Sequence, residues 1–502
     1  MLSCFDRLSM RTELDVLTLS LSKGEIAGDR MKMRAHTLAS VAIASLMIAA
    51  APSNDPPADT AKLAHDIFRD IVEVRSVHDV GTKGVADIIA KYLTDNGFAA
   101  EDVKIVPETK YPHQVNVVAR IHGKGKGKPV MWICHMDVVD ARKEDWSPGL
   151  DPYKFTEKDG YYYGRGTSDM KDEDAAVAAT LIRLKREGYV PDRDIIVAFT
   201  ADEEVGLEQD GPAFLLKEHR DLVDAGLVIN PDGDSGEMVN GRRMDYGIET
   251  SQKTYVTYHM EVTNRGGHSS EPRHDNAIYQ LAAGLVKLGK YQFPFKTNAT
   301  TRLYFQRRAM LETGQVRADM LAVSKSPKID LKAAQRLAQK TERNAILHST
   351  CVATMLDAGV QENALPSRAQ ATVQCRIMPD ETVEGTQKAL EKAAGDPAIK
   401  FSVVGYVVSA PESPPTKELL GSVEKVVHSM WPGVPVIPSM AAGASDSIFT
   451  RNAGIPSYGV SGAWADIDDD RAHGRDERRK IDSFNQEVEF TYRLMKELTG
   501  PR

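Results

Sequence analysis

The stretch DIIVAFTADEE, residues 194–204, sets the frame for the rest of the chain. Residues 194–200 are almost continuously apolar and rich in branched side chains, which reads as a short strand buried on both faces. Two adjacent carboxylates, Glu203 and Glu204, close it. Working outward, residues 60–73 and 84–96 carry helical apolar spacing, 114–121 and 130–134 read as strands, 173–187 and 211–219 as helices, and 226–229 as another apolar strand. This alternation predicts an α/β fold whose largely parallel sheet has helices on both faces.

Beyond residue 253 the period changes. Tyr255, Thr257, His259 and Glu261 alternate with Val256, Tyr258, Met260 and Val262, as in a half-exposed strand. A helix at 276–288, strands at 349–358 and 370–377, a helix at 381–394 and a strand at 400–408 complete a βαββαβ order, a small α+β unit. Residues 290–348 are extra to it and are expected to be charged, partly helical at 331–340, and exposed. The chain of 502 residues is too long for one ordinary core. The expected division is an N-terminal extension with signal peptide at 1–51, one domain built from 52–253 and 410–502, and an inserted domain at 254–409. Helices are expected at 417–428 and 483–498.

Composition is that of a soluble globular protein, 42% hydrophobic and 27% charged, with a net charge of −8 and no long basic run, so nucleic acid is not an expected partner. Met31-Lys-Met-Arg34 followed by the apolar run 38–51 and small residues at 49–51 reads as a cleavable signal peptide. It predicts a secreted or periplasmic protein with no stable membrane insertion after processing; an uncleaved anchor is the alternative. Four cysteines are too few for a disulfide scaffold. Cys351 and Cys375 fall in two predicted strands, equidistant from Asn363. Two buried free thiols are expected, with cross-strand pairing as the alternative.

Several polar groups stand where apolar strands end. His135 and Asp137 are two apart on a strand, so His135 can meet a metal while Asp137 holds its other ring nitrogen. Asp169 lies in GRGTSDMKD, 164–172, placed to bridge two cations, although Ser168, Asp169 or Asp172 could equally cap the next helix. Of the Glu203–Glu204 pair, one can ligate while its neighbour takes a proton from water. Asp232 follows GLVIN in the loop NPDGD, where Asp234 competes with it, and His473 precedes the last helix. Two histidines with three carboxylates form the mixed nitrogen and oxygen set that zinc takes.

H-x-D, G-R-G-x-x-D, E-E, a later acidic residue, G-G-H-S-S and a late histidine, in that order over about residues 60–500, together resemble a large metallopeptidase family. That family includes glutamate carboxypeptidase, acetylornithine deacetylase, succinyl-diaminopimelate desuccinylase, aminoacylase and carnosinase-type dipeptidases. The resemblance implies two Zn2+ per subunit, with Co2+ or Mn2+ as substitutes: one on His135, Asp169 and Asp232, the other on Asp169, Glu204 and His473. It implies Glu203 as general base and Asp137 as the residue that orients His135. The inserted domain at 254–409 is similar to the family's lid, the rest being its catalytic domain; His268 would stabilise the oxyanion, often from across a dimer made by the lid, and Arg376, Asn363 and Gly443 would bind substrate. The implied activity is exopeptidase cleavage, of carboxypeptidase or dipeptidase type, next to a free carboxylate; hydrolysis of N-acyl-amino acids is the alternative. A catalytically dead binding module would have lost ligands or base, and every expected position is filled.

Overall fold

The computed structural model describes residues 53–205, 210–325 and 328–501. The expected signal peptide lies outside them. Among the described residues no helix is long and apolar enough to cross a membrane.

The strand Ile195–Thr200 lies inside a ten-stranded sheet, between Val115–Ile121 and Val130–His135. Next to Val130–His135 come Leu227–Asn230, Ser457–Gly459, Arg242–Gln252, Gly236–Val239 and Trp464–Asp466; Val103–Pro107 forms the other edge, and Val436–Ala441 pairs with Arg242–Gln252. The centre is parallel, with antiparallel pairs where Val115–Ile121, Arg242–Gln252 and Gly236–Val239 join. Alternation sends Trp132 and Cys134 to one face and Met131 and Ile133 to the other. Helices Ala58–Val72, Lys171–Arg186 and Ile481–Thr499 pack on the first face, and Gly211–Glu218 on the second. Both faces are therefore dry, which is why these strands read as unbroken apolar runs.

The second sheet has four antiparallel strands in the order Thr350–Ala358, Arg368–Ile377, Thr254–Thr263, Lys400–Val404. Val256, Tyr258, Met260 and Val262 are fully buried beneath helices Ala277–Leu288 and Val383–Ala394. The last strand is shorter than expected, ending before Gly405, whose φ of +73° turns the chain away.

Two expectations need correction. Residues 290–348 are not a loosely exposed insertion. They form four helices, Ala299–Arg308, Gly314–Val323, Leu331–Leu337 and Thr341–Leu347, around Phe305, Met320 and Leu337. The first of these packs on Val436–Ala441 of the main sheet, starts with an Asn298–Thr301 capping box, and ties to it through Arg307, which donates to the Val436 carbonyl at 2.7 Å. Its apolar spacing is weak because much of its docking is polar. Cys351 and Cys375 are not free thiols either. They sit directly opposite on neighbouring antiparallel strands, with Cα atoms 4.1 Å apart, and form a disulfide. Cys134 is the free, buried cysteine among the described residues.

Candidate metal centre

Three adjacent parallel strands, Ile195–Thr200, Val130–His135 and Leu227–Asn230, end along one edge of the main sheet. His135 ends its strand, the turn Glu203–Val205 follows the first, and Asp232 lies just past the third. In an open sheet this edge borders the ligand crevice.

Asp169 comes from the turn between Tyr161–Tyr163 and the helix Lys171–Arg186. Gly166 allows that turn: its φ is +86°, and a Cβ there would lie 2.8 Å from Val138. None of the three candidate caps is used as one, since the helix starts from Met170 with no capping side chain. The two oxygens of Asp169 face two histidines, Oδ1 at 3.1 Å from His135 Nε2 and Oδ2 at 2.9 Å from His473 Nε2. His473 Nε2 also lies 2.9 Å from Glu204 Oε2. Glu203 and Asp232 each bring a carboxylate oxygen within 4.8 Å of a ring nitrogen of His135 and of each other. Asp234 points elsewhere: it accepts from Ser439 Oγ and from the Ser235 N–H. Of the two acids, Asp232 is therefore the one beside His135.

Asp137 meets the free ring nitrogen of His135, but by its main chain more closely than by its carboxylate. The His135 Nδ1 contact at 3.1 Å is to the main-chain carbonyl of Asp137, while its carboxylate is 3.7 Å away. That carboxylate accepts the backbone N–H groups of Glu203 at 3.2 Å and Glu204 at 3.1 Å, so it clamps the acidic turn against the histidine strand.

Burial raises Asp169, but hydrogen bonds with His135 and His473 outweigh it and hold this carboxyl well below the usual range. Asp169 and Glu204 lift His473 to about 10. Burial, then the Asp232 charge, pushes Glu203 well above an ordinary carboxylate. Burial also raises Asp137 to about 7 and the neighbouring Asp446 to about 6. So many carboxylates in one buried place repel one another unless protons or cations intervene. The donors suit a pair of cations: a carboxylate facing two ways between two imidazoles, with further carboxylates on each side, is a mixed nitrogen and oxygen set.

Sequence reading missed the braces. Arg165, 3% exposed, pairs with Glu477 at 2.5 Å and donates to the carbonyls of His473 and Gly474, each at 3.1 Å. Glu477 accepts the Ser168 N–H at 2.8 Å. One buried ion pair therefore sets both the Asp169 turn and the His473 loop, where His473 itself has φ +62°. A charged residue between two glycines was the available signal. Asp210, buried behind the site, was likewise not singled out.

The lid candidates stand apart. His268 and Asn363 neighbour each other, in that Gly267–His268 pairs with Ala364–Leu365 and the Ser269 N–H donates to the Asn363 carbonyl at 3.1 Å. Among the described residues no hydrogen bond or ion pair joins either side chain to the His135 group. Arg376 does reach the main domain: it donates to the Ala442 carbonyl at 2.8 Å and stacks over Tyr255, 4.6 Å from its ring centre. Gly443, next along, lines a cavity of about 300 Å³ together with Asp232.

Residues 131–497 match the family described as peptidase family M20/M25/M40. A zebrafish (Danio rerio) protein named N-fatty-acyl-amino acid synthase/hydrolase PM20D1.1 is 27% identical over 82% of this chain and 79% of its own length. A probable carboxypeptidase S-like 2 of Dictyostelium discoideum is 27% identical over 74% of this chain and 71% of its own. Among solved structures, an M20 family metallo-carboxypeptidase of Sulfolobus solfataricus shares the fold at a TM-score of 0.62 and 18% identity, over 86% of this chain and 98% of that one.

Proposed function

The chain belongs to peptidase family M20/M25/M40, hydrolases of peptide and amide bonds, and from that premise we propose that it is a two-zinc exopeptidase acting beside a free carboxylate. The observation that carries this reading is Asp169, whose two oxygens face His135 and His473 separately while Glu203 lies close by with its carboxyl raised. His135, Asp169 and Asp232 would hold one ion, and Asp169, Glu204 and His473 the other, zinc being favoured by the donor set, with Co2+ or Mn2+ able to replace it. When bound, such a pair lowers the pKa of water and polarises a carbonyl.

The remaining steps fall to the chain. Glu203 takes the proton of the attacking water and passes it to the leaving amine. Asp137 keeps Glu203 and Glu204 in register through their backbone N–H groups. Arg376, with Asn363 and the Gly443 loop, receives the substrate carboxylate, and His268 supports the oxyanion. We assign residues 52–253 and 410–502 to the catalytic domain and 254–409 to the lid. A homodimer through the lid is supported by its edge strand Thr350–Ala358, which leaves Val352, Met355 and Leu356 exposed. Secretion is supported by the Cys351–Cys375 disulfide, a bond of oxidising compartments.

A second reading, hydrolysis of N-acyl-amino acids, is favoured by the zebrafish relative, which is named as an N-fatty-acyl-amino acid synthase/hydrolase. The chemistry is shared, so substrate decides. The test is turnover of paired dipeptides and N-acyl-amino acids, with and without chelator. Both readings expect activity that chelator abolishes and zinc restores; activity indifferent to chelator sinks both.

A further inference from the structure

A second group of acids lies outside the crevice, between the helices Lys171–Arg186 and Ile481–Thr499. Asp172, Glu173 and Glu487 each present an oxygen within 4.8 Å of the others. All three are buried, Asp172 and Glu487 completely. The protein gives them little in return. Arg479 donates to Asp172 Oδ2, and Ser461 Oγ donates to Glu173 Oε1 at 2.8 Å. Asp172 Oδ1 and Glu173 Oε2 receive no donor from the rest of the protein, and the two carboxyls lie against each other.

An independent observation comes from the facing helix. Glu487 is fully enclosed, and neither of its oxygens accepts a hydrogen bond, although one is aimed at both acids of the other helix. A carboxylate in that position costs several kcal/mol unless something neutralises it. Burial, then the neighbouring acids, push Glu173 and Glu487 well above the ordinary carboxylate range, so with one guanidinium among them the three acids must share protons unless a cation takes their place. The positive end of the helix Lys171–Arg186, whose first turn holds Asp172 and Glu173, favours their ionised forms. The donors are all oxygen, with no histidine or cysteine, which suits a hard divalent cation rather than zinc.

We propose that Asp172, Glu173 and Glu487 form a structural site for one Ca2+-class cation, separate from the crevice metals. It pins the C-terminal helix to the segment that carries Asp169, three residues before Asp172. Arg479 stays on Asp172 and leaves the other oxygens to the ion.

The test uses the full zinc-loaded protein, stripped of calcium and titrated with Ca2+ to about 1 mM, the working range of extracellular sites. Gel-filtered protein is then assayed for calcium and zinc by mass spectrometry, and its Tm is measured. The expected result is about one Ca2+ per chain and a Tm rise of about 2–4 °C. Glu487→Gln should lose both responses and keep its zinc. Should that variant not fold, Glu173→Gln serves, and the calcium count on the unaltered protein decides by itself. No bound calcium and no Tm response would mean that the three acids are held by shared protons, and the proposal falls. Calcium that persists in both variants places the ion elsewhere and overturns it equally.

Discussion

The crevice edge of the main sheet and the lid sheet were both partly visible in the sequence, yet they deliver their polar residues in opposite ways. At the sheet edge, residues far apart in sequence converge on Asp169, because parallel strands end together. Beside the antiparallel lid sheet, His268 and Asn363 stay with each other at a separate exposed two-stranded ribbon, and among the described residues Arg376, not Asn363, hydrogen-bonds to the main domain. A parallel sheet concentrates chemistry at one edge, whereas an antiparallel one spreads it over both. The sheet edge should therefore govern rate and metal content, and the lid substrate affinity.

The sharpest break would come at Glu203. Glu203→Gln is expected to lower kcat by about 10²–10⁴-fold, with metal content unchanged; near-normal turnover would remove it as the base. Next is the brace behind the edge. Arg165→Met leaves Glu477 buried without its partner and should cost about 3–5 kcal/mol, read as a lower denaturation midpoint with loss of metal. If metal content holds, the Asp169 and His473 segments are set by something else.

On the lid side, replacing Cys351 and Cys375 together by alanine should cost about 3 kcal/mol, given the 24-residue separation that the bond closes. Zinc content should not change, because the bond lies wholly in the lid; a fall in zinc would show that the two regions are not separable. Arg376→Ala should raise KM by about 10–100-fold for a substrate with a free carboxylate and much less for its amide. Equal effects on both would deny Arg376 its carboxylate.

The smallest effect concerns Glu108, a buried acid beside the outer strand Val103–Pro107. Burial is the main cause that lifts it to about 8 from an ordinary 4.5. The folded state therefore holds a proton that the unfolded state has released between these values, and stability falls as pH rises from about 4.5 to about 8. Glu108→Gln should be no more stable than the parent near pH 4.5 and more stable at pH 8, by on the order of 1 kcal/mol, seen as diverging Tm curves. Parallel curves would show that Glu108 is ionised in the fold at little cost.

Much of this was legible beforehand where a local pattern has a single physical meaning. Apolar strands covered on both faces, the alternation of Val256 through Val262, and acids placed just after strands all carried over. Boundaries failed where a glycine such as Gly405 ended an element early. The edge strand Val103–Pro107 and the long interior strand Arg242–Gln252 went unread because their polar residues broke the pattern.

The sequence by itself determined the layered α/β architecture, the antiparallel second sheet and the placing of candidate metal-binding side chains after apolar strands, because periodicity and side-chain type are local properties. Only the tertiary structure decided that Asp232 rather than Asp234 faces His135, that Asp137 grips the acidic turn through its carboxylate, that Arg165 and Glu477 brace two distant segments, and that Cys351 meets Cys375. Each of these depends on which atoms meet across long sequence separations. Strand register and buried ion pairs settle such meetings, and spacing along the chain does not encode them.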